Sequence, residues 1–180
     1  TACWLQVVPV VMRYLTAEGQ RVAARDGQTC SGFGFALGGV HPAYEATGRA
    51  LPLEMRPYAW YLRVPDPAAF ILRIQPVLEK RVAESVCAGY SGEIKITFYR
   101  TALRLKLDHG RITEAENTPP GKWMHADAAF PPYAFLQLLF GYRSLDELKY
   151  SFVDCWTNEK TALLLGVLFP KKPSDVWPVH

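Results

Sequence analysis

Residues 93–99, EIKITFY, and 103–108, LRLKLD, alternate without a break. Ile94, Ile96 and Phe98 fall on one side, Glu93, Lys95 and Thr97 on the other; Leu103, Leu105 and Leu107 oppose Arg104, Lys106 and Asp108. Strand side chains alternate between faces with period two, so the pattern predicts an antiparallel sheet with one wet and one dry face. Asp108-His109-Gly110 is turn chemistry, and RITEAE (111–116) returns as a third strand. Such a dry face has to be covered by something broad.

The cover lies in residues 130–169, which read as three short apolar helices. Phe135, Leu138, Leu139 and Tyr142 recur at helical spacing, with Pro131-Pro132 where the first helix begins and Gly141 closing it. Ser144 with Glu147 three residues on is a capping box for the second helix, whose buried stripe is Leu145, Leu148 and Phe152. Thr157 or Asn158 caps the third. Its Ala162, Leu163, Leu164, Leu165, Val167 and Leu168 leave almost no polar face, which predicts burial on several sides.

Upstream, Trp4, Val7, Val8, Val11, Tyr14, Leu15 and Val22 predict a helix over 4–25, ended by Gly27, with Pro9 limiting where it begins. Residues 30–37 read as a strand, with glycines where another backbone packs closely. A short helix or turn follows over 41–51, and alternation in 54–64 predicts another strand. Asp66-Pro67 marks a boundary, Asp as N-cap and Pro at the first helical position. The helix after it carries Phe70, Ile74, Leu78 and Val82 as its stripe, is expected to kink at Pro76, and ends near Gly89.

The order of a long helix, the meander GEIKITFYRTALRLKLDHGRITEAE and then AAFPPYAFLQLLFGYRSLDEL resembles a sterol-carrier-protein-type domain. More specifically, RPYAWYLRVPD (56–66), FLQLLFGYRSLDEL (135–148) and VLFPKKPSDVWPVH (167–180) are similar to the C-terminal region of multi-domain GNAT N-acetyltransferases of the enhanced-intracellular-survival type. The resemblance covers most of the chain from Arg56 onward. It implies an α+β fold: a sterol-carrier-like antiparallel sheet covered on one face by helices over 66–180, preceded over 1–65 by the closing part of a GNAT-like α/β unit. Helix, strand, helix, strand, with Tyr44-x-x-x-Gly48 in the second helix, resembles that closing half. The sterol-carrier fold binds lipids in a tunnel. Carried over, the tunnel falls between sheet and helices, lined by Phe98, Leu105, Phe135, Leu139 and Phe152. The parent family uses acetyl-CoA, and its terminal carboxylate serves as general base; that role falls on the α-carboxylate of His180.

The residues themselves narrow the chemistry. Gly32, Gly34, Gly38 and Gly39 do not form a phosphate cradle: a dinucleotide fingerprint needs glycine where Leu37 stands. The coenzyme-A motif of the GNAT family needs Gln or Arg three residues before its first glycine, and Gln28 is four before. No cofactor site is therefore expected in this chain. His125-Ala-Asp127 has no third ligand at metal spacing and reads as a surface segment leading into a strand. Lys95, Arg104 and Lys106, interspersed with Glu93 and Asp108, read as a solvated sheet face. A net charge of +3 is too scattered for nucleic acid, and no apolar run approaches a membrane span. Cys3, Cys30, Cys87 and Cys155 lie far apart without a CxxC pair, which predicts free, mostly buried thiols and a cytoplasmic setting. A chain that opens on Thr1 reads as a fragment.

Three functions follow as expectations. The first is a non-catalytic C-terminal module of a GNAT acetyltransferase, scaffold and apolar pocket wall. The second is a segment of an active acetyltransferase that lends its terminal carboxylate. The third is a carrier of a lipid or small apolar ligand. Expected partners are such a ligand and the remaining GNAT domains of the parent. A second copy of the chain is a further candidate, met by an apolar patch around Trp4, Phe33, Phe35 and Trp60.

Overall fold

The computed structural model describes residues 3–38, 40–51, 62–120, 125–131 and 133–173. They fall into two units, one within residues 1–59 and one within 60–174. The expected strand over 54–64 lies mostly outside the described residues, as do Trp60 and His180.

The first unit is built on α1 (Trp4–Arg25) and α2 (Pro42–Thr47), the latter continued by a 3-10 turn, Gly48–Ala50. Pro9 sits inside α1 on its exposed side. His41 caps α2 by accepting the Ala43 N–H at Nδ1, and Pro42 takes the first helical position. The strand expected over 30–37 is not one: residues 28–36 carry no regular structure. A strand needs a neighbour for its amides, and here the Tyr44 hydroxyl serves instead, accepting from Leu37 N–H and donating to Phe35 O. Gly32 and Gly34 are not close-packed either, since a methyl group at either would meet nothing within 4 Å.

The second unit is the sheet and its cover. Asp66 opens α3 (Pro67–Ala83) by accepting the Ala69 N–H, and the helix continues through the exposed Pro76. Turns over 84–89 separate its end from the sheet. Strands β1 (Gly92–Thr97), β2 (Ala102–Asp108) and β3 (Arg111–Thr118) form the expected antiparallel meander. His109 and Gly110 both take positive φ, the two-residue hairpin geometry whose twist matches the strands. Two short strands extend the sheet, β4 (Ala128–Ala129), which runs parallel to β1, and β5 (Trp156–Thr157), giving the order β3-β2-β1-β4-β5. The sheet is thus mixed, because the chain crosses over before returning beside β1.

Ile94, Ile96, Leu103, Leu105, Leu107 and Ile112 are buried on the dry face. From α3 come Ala68, Ile71, Leu78 and Val82; Phe70 and Ile74 pack from the margin of that core. The other cover helices are α4 (Ala134–Leu139), α5 (Leu145–Ser151) and α6 (Glu159–Leu168). α4 begins at Ala134, not at the prolines, because Tyr133 turns left-handed just before it. Tyr142 falls beyond its end and is 63% exposed, so it is not part of the stripe. The Ser144–Glu147 capping box forms with both bonds, and Asn158, not Thr157, caps α6. Nor is α6 buried all round: Leu164, Leu165 and Leu168 face the core while Leu163 is 55% exposed.

Gly141 does more than end a helix. Its φ is +68°, and an added Cβ would lie 2.9 Å from Pro170 O and 3.1 Å from Lys172 N. The backbone here also bonds, Lys172 N–H to Gly141 O at 3.0 Å, so α4 is pinned against the chain leaving α6. Gly141→Ala should therefore destabilise the protein by about 2 kcal/mol or more, from left-handed strain plus the backbone clash. A urea titration followed by circular dichroism checks this; an unchanged midpoint would mean that the turn yields freely.

Candidate functional site

The residues expected to line an apolar space all lie in the sheet–helix unit. Leu105 is fully buried in β2, and Phe135 and Leu139 are buried on α4. Phe98, one residue beyond β1, and Phe152, the C-terminal cap of α5, are half-buried and pack against the same core. Phe135 is the meeting point. Its ring centroid lies 5.2 Å from Phe98, 5.4 Å from Phe130 and 5.7 Å from Phe169, the last edge to face. Those are spacings of favourable aromatic pairs. Phe140 pairs elsewhere, with Phe70 at 5.5 Å. Phe169 had no sequence signal beyond being apolar.

What holds this interior in place is partly polar. Asp127, which in the sequence read as surface, ties the start of β4 to β1 and to the start of α6: its carboxylate accepts the Lys95 N–H at 2.8 Å and the Asn158 side-chain amide at 3.0 Å. Its own N–H donates to Lys95 O, and its carbonyl accepts from Asn158 N–H. One residue thereby registers β1, β4 and the start of α6. Tyr99, held at positive φ, donates its hydroxyl to Asp154 O at 2.7 Å and closes the β1–β2 turn against the end of α5. At the outer edge, Ile112 in β3 has its N–H accepted by Glu79 and its carbonyl bonded by Gln75, both from α3. These bonds occupy backbone groups that an edge strand would otherwise offer to another chain.

The wet face is charged and internally balanced. Arg104 bonds Glu93 on β1 and both Glu114 and Glu116 on β3, while Lys106 bonds Glu114. The three carboxylates, Glu116 foremost, raise the Arg104 pKa further. Arg104 holds Glu93 below the usual carboxylate range, and Lys106, then Arg104, does the same for Glu114. The cations seen in the sequence are thus spent on neighbours across the strands.

Among the described residues no cluster of three or more His, Cys, Asp or Glu is placed to hold a metal ion. All four cysteines are free; Cys87 and Cys155 are buried and Cys3 is exposed. Burial pushes the Cys155 thiol up to about 11, so it stays protonated and is a poor nucleophile at neutral pH. No described helix is long and apolar enough to cross a membrane. In the first unit Trp4 meets His41 edge-on at 4.9 Å and Phe33 meets Phe35 at 5.7 Å, while Leu5, Val10 and Tyr14 of α1 are exposed. Among the described residues, surface depressions lie in the sheet–helix unit. One, of about 290 Å³, lies beside Tyr90, Lys160 and Leu163, and another, of about 500 Å³, at the start of α3; neither is lined by the five residues above.

The charge network predicts a pH dependence. Glu93 and Glu114 have depressed folded pKa values, so the stability they contribute is present above their unfolded pKa, about 4.3, and is lost as pH falls through the folded values. Arg104→Met should lower Tm at pH 7 and do so much less at pH 3. Melting curves at both pH values test this, and an equal gap at each would show that the network contributes nothing.

No protein-family model matches the sequence, and no curated protein does. Among solved structures, a crystal structure of sterol carrier protein 2 aligns over 56% of this chain and 96% of its own, with 16% identity and a TM-score of 0.36.

Proposed function

We propose that residues 66–180 are a non-catalytic sterol-carrier-type module at the C-terminal end of an acetyl-CoA-dependent GNAT acetyltransferase, with residues 1–65 the closing part of a GNAT-like unit. The module acts as scaffold and as one wall of an apolar pocket. The sequence resemblance supports the family. The observation that carries the role is the clustering at Phe135: rings from the β1 turn, from the segment after β4, from α4 and from the end of α6 meet in an interior of apolar side chains. Such an interior suits a scaffold or an apolar ligand held inside it, and acid–base chemistry has no use for it. Phe98, Leu105, Phe135, Leu139 and Phe152 are the wall in this reading. The exposed Leu5, Val10 and Tyr14 of α1 meet the remaining part of the parent's GNAT unit or a second copy.

Two measurements test the proposal. Calorimetric titration of the isolated chain with acetyl-CoA should show no micromolar binding, since a fortuitous site does not reach about −8 kcal/mol. In the longer parent, removing His180 should leave acetyl transfer unchanged. A collapse in kcat with KM preserved would instead make the terminal carboxylate a catalytic base and overturn the non-catalytic reading.

A further inference from the structure

We propose that the depression at the start of α3 binds a small amphiphile: a flat apolar body bearing an oxyanion, carboxylate or phosphate. It is an open depression of about 500 Å³ with Arg63, Val64, Asp66, Phe70, Arg73 and Phe140 along it. Phe70 on α3 and Phe140 at the end of α4 form an aromatic surface, ring centroids 5.5 Å apart with planes at 48°, and both rings are half-buried. Part of that surface is therefore open to a third ring, whose burial would remove more apolar area from water.

The charges at this site select the sign of the ligand. Arg63 precedes the helix and Arg73 lies on its second turn, and both side chains are exposed at the depression. Among the described residues neither guanidinium has an ion-pair partner, in contrast to Arg104 with its three carboxylates. Asp66, the lining carboxylate, is already committed. Its Oδ1 accepts from Ala69 N–H at 2.9 Å and from the Asn117 side-chain amide at 2.6 Å. Those bonds, the Ala69 amide first, hold it ionised as the helix cap. Two cations against one engaged anion leave the site net positive. A guanidinium fork matches two oxygens of a carboxylate or phosphate and discriminates by geometry as well as charge. Because both arginines face solvent, the ring contact supplies most of the affinity and the arginines most of the selectivity.

The test titrates the full 180-residue chain with 2-naphthoate, 2-naphthyl phosphate and neutral 2-naphthalenemethanol, which share one aromatic body. At least one anion should bind on the order of 100 μM, and the alcohol several-fold more weakly. The tighter anion identifies the head group, and equal binding means that the site reads the oxyanion alone. Arg63→Gln and Arg73→Gln should each weaken the anions several-fold, and together by more than about tenfold, with the far-ultraviolet spectrum and Tm unchanged. Phe140→Leu should weaken anions and alcohol alike. Alcohol binding equal to that of the anions, or full affinity in the double arginine variant, would overturn the proposal, as would no binding of any of the three.

Discussion

Ile94, Ile96, Leu103, Leu105 and Leu107 leave water together on one side of a three-stranded meander. Each contributes roughly 1.5–3 kcal/mol on burial, but only if something covers it. A sheet this small cannot bury the face on itself. So α3 crosses it from the N-terminal side, bringing Ile71, Leu78 and Val82, and α4, α5 and α6 arrive from the C-terminal side with Phe135, Leu138, Leu148, Leu164, Leu165 and Leu168. The short helices are as constrained as the strands. Their capping residues and the backbone contact at Gly141 fix where each may start and stop over that face.

Several polar side chains in this unit settle backbone groups of the sheet and its cover. Asp127 pairs the amides where β1 meets β4, Gln75 and Glu79 close the outer edge at Ile112, and Arg81 bonds the carbonyl of Leu168 at the end of α6. On the wet face the charges answer one another across strands, so that surface is fixed in register without offering a strong net field.

Two aromatic groupings stand out in this unit. Phe135 and its neighbours lie in the apolar interior, and Phe70–Phe140 gives a smaller aromatic face flanked by Arg63 and Arg73. They differ in setting: Phe130, Phe135 and Phe169 are closed to water, while Phe70 and Phe140 are half-buried beside exposed cations.

Local sequence determined much of this. Period-two alternation in 93–99 and 103–108 identified the strands and their dry face, because only an extended chain sends alternate side chains to opposite sides. Asp66, Ser144 with Glu147, and the pair Thr157-Asn158 marked three helix starts, because a cap is a contact within four residues; the structure chose Asn158 of the last pair. What failed was what depends on distant neighbours. Residues 30–37 had strand composition but found the Tyr44 hydroxyl instead of a pairing strand. Leu163 belongs to a helix apolar on every side, yet only packing decided that it would stay in water. The parallel β1–β4 pair, the stitching role of Asp127 and the meeting of Phe140 with Arg63, Phe70 and Arg73 join residues tens of positions apart. No local period encodes such meetings; they exist only once the dry face has gathered its cover.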